Sequence, residues 1–273
     1  MLNFSTENTK IWRLNELERI IDDFEDSLGD YVNYHNIKKN EEYLNIVLDI
    51  TGKSIVTFRE IICLSTCGYS DGALSLARNL CEQFFILAFF EKKLDSSEFQ
   101  NYVDDYYLDY EIQCIKIIKK NTELFDKNKS VKLDKEFQAL KQKSTKRING
   151  NYWWAGIGSF KELCKKVKAN EESNVQSLIN DILMAYNRAC VSLHSSCLGN
   201  SIRLSKDKDF VGIDTSPRLN GHNMPLWLSS VTFIWIMAIA NKEIMGITKY
   251  SKEINDLAAF YSKKMKDEYK DNL

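Results

Sequence analysis

The sequence predicts an all-α fold, a bundle of seven to eight helices around one buried central helix with at most one short β-hairpin. The chain has only 2 Pro and 11 Gly in 273 residues, which favours long helices over a turn-rich β fold. Apolar residues recur every three or four positions through most of the chain. Residues 69–90 are apolar almost all round after Gly72, as expected for a helix that other helices surround.

Short polar or glycine-containing segments separate the predicted helices. Gly68 is expected to end one helix, and Ser70 or Asp71 to cap the central helix that follows. Pro225 fits the first turn of a strongly apolar helix. The predicted helices lie at about residues 14–31, 40–67, 69–90, 98–120, 174–198, 226–245 and 251–269, and a hairpin is expected near residues 207–209.

The fourth predicted helix has one apolar face, which we expect to pack in the core. Asp105 and Asp109 lie four residues apart on another face. Two carboxylates can contribute to a hard-cation site, but without a third ligand they do not predict one, and we expect no metal and no cofactor. The apolar face consists of Phe99, Val103, Tyr106, Tyr110, Cys114 and Ile117.

Composition and charge predict a soluble, cytoplasmic protein. The length fits one helical domain, which we place at residues 13–270 after a loose arm at residues 1–12. The seven cysteines are an odd number, which favours free thiols in a reducing compartment. The N-terminus has no apolar leader, and the longest apolar run, residues 226–240, is short for a bilayer span. We therefore expect no membrane association.

Arg78 and Glu82 are the charged residues of the predicted central helix after Gly72. Because they are four residues apart, they lie on one helix face and can pair. A charged pair in such an apolar helix has two interpretations. It is either a structural ion pair that fixes how helices dock, or part of a site that faces a cleft.

Positive charge is concentrated in residues 116–168, which contain 15 Lys and Arg against 5 Asp and Glu, a net of +10, although the whole chain carries −1. Such an asymmetry can mark a surface for RNA or another anion. In the RNA interpretation, two tryptophans stack on bases beside a basic groove. In the alternative, both tryptophans fill the core and the lysines solvate exposed helices. The RNA-binding candidates are Lys141, Lys143, Lys146, Arg147, Trp153 and Trp154.

His194 has the most suggestive surroundings of the three histidines. Asn187 lies seven residues before it, hence on the same helix face, and Arg188 lies six residues before it. An imidazole can move the proton of a 2′-hydroxyl or of a leaving group near neutral pH, and a guanidinium can hold a phosphate. The pair therefore suits phosphodiester cleavage without a metal. The alternative is a histidine that is bonded within the core beside an unrelated arginine.

Arg188 and His194, with five residues between them, resemble the R-x4-6-H motif of the HEPN superfamily. Here Ala189 follows the arginine, where that superfamily usually has a polar residue, and Asn187 precedes it. The resemblance implies a helical homodimer and a metal-independent ribonuclease of toxin–antitoxin or phage-defence systems, with RNA and an antitoxin or another defence protein as partners. In this hypothesis His194 is the general acid/base, Arg188 the phosphate clamp and Asn187 an orienting group.

A second resemblance connects the central helix with the His194 segment. SLARNLCEQFFIL and YNRACVSLHSS together resemble a bacterial helical family of unknown function, over roughly residues 40–245. In that family an Arg-x3-Glu helix is followed by a Ser/His segment, which implies one site formed by both. The supporting or ligand-binding candidates are Arg78, Glu82, Tyr186, Ser192 and Ser195.

A non-catalytic function is the alternative hypothesis. In it, the chain is a helical module of a defence complex that binds a partner protein or a small ligand between the central helix and the His194 helix. The positions of Arg188 and His194 discriminate between the ribonuclease and the non-catalytic hypothesis. Catalysis requires both residues to be exposed to one cleft or dimer seam.

Overall fold

The computed structural model describes residues 12–34, 41–122, 127–144, 146, 148, 150–193, 204–207, 210–213, 223–245 and 251–269. These residues are mainly helical, so the predicted all-α class is confirmed. The described ranges contain nine α-helices rather than seven or eight, because the lysine-rich region holds two shorter helices beyond those outlined from periodicity.

The helices follow the predicted order. They are α1 (Leu14–Tyr34), α2 (Glu41–Thr66), α3 (Ser70–Lys93), α4 (Phe99–Thr122), α5 (Lys127–Lys143), α6 (Phe160–Lys168), α7 (Ser173–Leu193), α8 (Asn223–Ala240) and α9 (Ser251–Tyr269). A 3₁₀ turn at Trp153–Ala155 precedes α6, and a π-helical turn at Asn241–Met245 follows α8. Strands β1 (Leu204–Asp207) and β2 (Phe210–Ile213) pair antiparallel, with Leu204 opposite Ile213, in a hairpin near the predicted position.

The contacts divide the chain into two compact units. One consists of Met1–Leu87 together with Glu172–Leu273, and the other of Ala88–Glu171. Helix α3 begins in the first unit and ends in the second. The single domain at residues 13–270 remains a prediction.

Helix α8 lies in the core of the first unit, where it contacts α2, α7 and α9. It is buried along nearly its whole length, and Phe233 stacks on Phe58 of α2 with ring centroids 4.4 Å apart. Among its buried polar residues, Ser229 and Thr232 donate their hydroxyls to backbone carbonyls three or four residues earlier. Hydroxyl groups can therefore lie in this core without losing their hydrogen bonds.

Trp12 anchors the beginning of the described chain in the same unit. Its ring is buried and stacked on that of Tyr261 in α9, and the Tyr261 hydroxyl donates to the Trp12 carbonyl. The predicted loose arm therefore does not include residue 12, and residues 1–11 lie outside the described residues.

Among the described residues, two helices, Ser70–Lys93 and Asn223–Glu243, are long and apolar enough to cross a membrane by length and composition. Most of each is buried inside the structure, 61% and 78% of the apolar window respectively. Core helices of soluble proteins have the same properties, so the absence of a membrane span and the cytoplasmic location remain predictions.

Two tryptophans organise the core of the second unit. Trp154 is 2% exposed, stacks on Phe90 with centroids 5.1 Å apart, and meets Tyr106 edge-on at 5.0 Å. Trp153 is 1% exposed, and its indole N–H donates to Asp109 Oδ1 at 2.6 Å. Large aromatic side chains contribute strongly to a core when their polar atoms find partners, as the Trp153 indole N–H does here.

Asp105 and Asp109, the two carboxylates on one face of α4, form polar contacts with the tryptophan segment and with the lysine beside it. Asp109 accepts from Trp153, and Asp105 pairs with Lys146 at 2.8 Å. Lys146 Nζ also donates to the Trp154 carbonyl at 2.8 Å. Asp105 and Asp109, which lie on one face of α4, therefore hold the 3₁₀ turn Trp153–Ala155 against that helix.

Candidate functional site

Arg78, Glu82 and Tyr186 form a hydrogen-bonded cluster in the first unit, with the first two on α3 and the third on α7. Arg78 Nε lies 3.3 Å from Glu82 Oε1, so the pair predicted from the spacing is present. Arg78 Nε also donates to the Tyr186 hydroxyl at 3.3 Å, and that hydroxyl donates to Glu82 Oε1 at 2.7 Å. The Arg78 guanidinium lies 5.5 Å from the centroid of the Tyr186 ring, within cation–π range.

Helical spacing explains how the cluster forms. Arg78 and Glu82 lie at the edge of the buried face of α3, between buried Ala77 and Cys81 and exposed Asn79. Their side chains are 33% and 28% exposed, whereas the whole Tyr186 residue is only 7% exposed. The charged groups can therefore be reached from solvent while the tyrosine ring is held by packing.

The electrostatics keep the tyrosine neutral. Burial, followed by the hydrogen bond to Glu82, raises the pKa of Tyr186 far above its usual value, and the bond from Arg78 opposes this rise. The same bond to Tyr186, and secondarily the nearby negative charge, raises the pKa of Arg78, although burial acts in the opposite direction. At neutral pH the cluster thus offers a permanently charged guanidinium and a hydroxyl donor, and Tyr186 does not act as a base.

A second polar contact lies beside the cluster and was not predicted. Ser54 of α2 donates to Gln83 Oε1 at 2.8 Å, and both residues are buried. Gln83 Nε2 is buried and has no hydrogen-bond partner among the described residues. The sequence offered one sign of this contact, since Gln83 is a polar residue next to Glu82 in an otherwise apolar stretch. This contact couples α2 to α3 behind the charged pair.

The catalytic candidates of α7 are only partly described. Asn187 and Arg188 have exposed side chains near the C-terminal end of the helix. Because Arg188 follows Tyr186 by two residues, it points about 200° away around the helix, and so the Arg78 cluster does not include it. His194 and Ser195 lie outside the described residues, and for Ser192 only the backbone is described.

The structure separates the RNA-binding candidates into two groups. Lys141 and Lys143 are exposed on α5, as RNA contacts require. Trp153 and Trp154 have no free ring face for a base, which corrects the expectation of base stacking in favour of the core-filling alternative. Lys146 is already paired with Asp105, so its charge is largely compensated, and Arg147 lies outside the described residues.

An open cavity of about 540 Å³ in the second unit adds two lysines that were not among the candidates. Lys165 and Lys166 of α6 line it together with a glycine-containing loop at residues 156–158. Glu162 also lines the cavity, and its carboxylate accepts the Gly158 N–H at 2.9 Å. The helix N-terminus is therefore capped from within the chain, and the cavity has mixed charge rather than the charge of a phosphate site.

The comparisons with known proteins give a family and no activity. No curated protein and no solved structure matches the chain. A family of unknown function (DUF5677) matches residues 44–210, more than half of the chain. This range includes both the Arg78–Glu82 helix and the segment from Tyr186 to His194. The chain therefore belongs to DUF5677, a family of unknown function.

Proposed function

We propose that this protein is a HEPN-like, metal-independent ribonuclease that acts as a toxin or phage-defence effector. The observation that carries the proposal is the position of Arg188, whose side chain is exposed on α7 six residues before His194. A phosphate clamp has to reach solvent, and Arg188 meets that requirement. The proposal includes a homodimer and a helical bundle with α3 as its central helix.

The chemistry assigns one task to each group. His194 removes the proton from a ribose 2′-hydroxyl, whose oxygen attacks the adjacent phosphorus while the bond to the 5′ oxygen breaks. The protonated His194 then gives its proton to that 5′ oxygen, and a 2′,3′-cyclic phosphate remains. Arg188 holds the phosphate and stabilises the negative charge that grows on its oxygens. Asn187, exposed beside Arg188, orients the substrate.

The basic helices of the second unit would guide the RNA. Lys141 and Lys143 near the end of α5 are exposed, and so are Lys165 and Lys166 on α6. Phosphate contacts of this kind bind without sequence preference and weaken as salt concentration rises. We therefore expect RNA affinity to fall with salt and with charge removal on α5, while the cleavage chemistry depends on α7.

The test compares purified wild type with His194→Ala and Arg188→Ala on a labelled RNA, with and without EDTA. We expect cleavage by the wild type that EDTA does not reduce, and a loss of about 10²-fold or more in each variant. Arg19→Ala is the matched control, since Arg19 is another half-exposed arginine of the first unit. RNA integrity in cells that express the same variants gives the second measurement. Cleavage that persists in His194→Ala would refute the proposal.

A non-catalytic helical module is the second candidate, and the partial exposure of Arg78 and Glu82 favours it. A guanidinium beside a carboxylate, both open to solvent, can bind a small polar ligand or a partner's side chain. In this case RNA stays intact with wild type and His194→Ala alike, while Arg78→Ala abolishes binding of the ligand, an antitoxin or another defence protein. Binding that survives Arg78→Ala would exclude this candidate.

A further inference from the structure

Cys63 and Cys67 place two thiols on one face of α2 at its C-terminal end. Both cysteines are exposed and free. The Cys67 N–H donates to the Cys63 carbonyl at 3.0 Å, so the helical hydrogen bonding of α2 continues through Cys67, although the helix itself ends at Thr66. Residues four apart on a helix are neighbours on its surface. The backbone therefore holds the two thiols side by side.

The spacing of the two thiols favours a bridging ion over a disulfide. Cβ atoms four residues apart on a helix are separated by about 5–6 Å. A disulfide requires Cβ atoms about 3.5–4.5 Å apart, so the helix would have to deform to form one between Cys63 and Cys67. An ion held between two thiolates, with each sulfur at about 2.3 Å, separates the sulfurs by about 4.6 Å. The two side chains can reach that separation without a change in the backbone.

The number of ligands selects the kind of ion. Among the residues that the structure describes, no group of three His, Cys, Asp or Glu side chains could hold a metal ion. Zinc takes four ligands in a tetrahedral arrangement, and calcium and magnesium take six or more oxygen ligands. Two thiolates alone suit a soft ion that is stable with two sulfur ligands in a line. Cu(I) is such an ion, and thiolates bind it selectively in proteins.

The charge around the thiols also favours a cation. The C-terminal end of a helix carries a partial negative charge, and Cys67 directly follows the last residue of α2. Glu60 is exposed three residues before Cys63, on the same face of the helix. Arg59 is the nearest positive charge along the chain, but its guanidinium is paired with three carboxylates of α1. The helix end and Glu60 therefore both stabilise a positive ion between the thiols.

We propose that Cys63 and Cys67 bind one Cu(I) ion within a single chain. Each thiol gives up its proton and each thiolate donates an electron pair to the ion, so one Cu(I) replaces two protons and no electron is transferred. The expectation of no metal rested on the carboxylates of α4, which this site does not involve. Bound Cu(I) would join the end of α2 to the turn that leads into α3. Copper binding does not depend on ribonuclease activity.

The test titrates the reduced full-length protein with Cu(I) in the absence of oxygen, against bicinchoninate, a chelator that removes loosely held Cu(I). We expect one ion per chain to transfer to the protein, with the ultraviolet absorption of copper–thiolate bonds. Cys63→Ser and Cys67→Ser should each weaken binding about 10²-fold or more, because the remaining thiol has lost its partner in the chelate. Cys114→Ser is the matched control and should leave binding unchanged, since no other cysteine lies within seven residues of it.

A spacing variant distinguishes the pair from a mere number of thiols. Val56→Cys/Cys67→Ser keeps two exposed thiols on one face of α2, because Val56 is 57% exposed and lies seven residues before Cys63. Seven residues span about 10 Å along a helix, which is too far for one ion to bridge. This variant should therefore bind Cu(I) no better than Cys67→Ser. Thermal melts followed by circular dichroism show whether each variant is folded.

Four results would overturn the proposal. The first is that Cu(I) stays with the chelator in the presence of the wild type, and the second is that Cys67→Ser or the spacing variant binds as tightly as the wild type. The third is that Zn(II) binds the same two thiols with equal affinity, which would indicate further ligands. The fourth is one ion per two chains in sedimentation, which would assign the thiols to a bridge between two copies.

Discussion

Replacing Tyr186 with phenylalanine removes one hydroxyl from the Arg78–Glu82–Tyr186 cluster and leaves the buried ring in place. The lost bond runs to a carboxylate at 2.7 Å, and hydrogen bonds to charged groups contribute about 1.5–3 kcal/mol. Arg78 and Glu82 are about a third exposed, so water replaces part of what they lose. We therefore expect Tyr186→Phe to lower the free energy of unfolding by about 1–2 kcal/mol.

A double-mutant cycle with Glu82→Ala, which removes the acceptor oxygens, isolates this bond, measured by urea unfolding followed by circular dichroism. We expect a coupling energy of about 1 kcal/mol between the two positions. Tyr69→Phe serves as the control, because Tyr69 is 53% exposed just before α3, and its change should be close to zero. A coupling energy below about 0.5 kcal/mol, the deviation that independent sites already show, would refute the description of the cluster.

The pH dependence of the same variant gives a second measurement. Burial and the bond to Glu82 raise the pKa of Tyr186, so the fold binds its proton more tightly than the unfolded chain does. The resulting stability is fully present below the unfolded pKa of about 10, and is lost as the pH rises above it. Tyr186→Phe should therefore lose less stability than the wild type between neutral pH and pH 11. Equal losses in the two proteins would show that Tyr186 titrates normally.

Four further predictions concern single substitutions in the two units. Trp154→Ala should cost about 3–5 kcal/mol in unfolding free energy, measured in urea, because the ring is buried among other aromatics. Gly150→Ala should lower the melting temperature strongly, since its φ is +81° and a Cβ would lie 2.2 Å from a backbone oxygen; Gly52→Ala, inside α2 with open space around it, should instead raise stability by about 0.5–1 kcal/mol. Tyr261→Phe should cost about 1 kcal/mol by calorimetry, since it removes the bond to the Trp12 carbonyl.

Helical periodicity was a sufficient guide to the class of the fold and to local pairs. The four-residue spacing of Arg78 and Glu82 predicts their contact, because both lie on the same helix. It does not predict Tyr186 as the group that joins them, since that contact spans 104 residues and depends on how α7 packs against α3. The Arg78–Glu82 pair thus depends only on spacing within one helix, whereas the contact of Tyr186 with that pair depends on tertiary packing.

Periodicity also fails to show where a core ends. The face from Phe99 to Ile117 keeps one pattern throughout, yet only its first part is buried. An apolar pattern shows that a helix face is apolar, but the element that covers this face belongs to another part of the chain, which the pattern does not identify. For Trp153 and Trp154 the sequence left two interpretations, and the partners that select burial, Asp109 and Phe90, are distant in the chain.

The contact between Trp12 and Tyr261 sets an order of events during biosynthesis. The two residues are separated by 249 positions, and a ribosome that adds roughly 5–20 residues per second needs roughly 10–50 s to make the second after the first. The unit Ala88–Glu171 is contiguous and can form during this interval, whereas the unit that contains Trp12 must wait for α9. Helix α2 leaves the ribosome long before α8, the helix that it packs against in the finished fold, and the apolar face that α8 covers stays exposed until α8 is made.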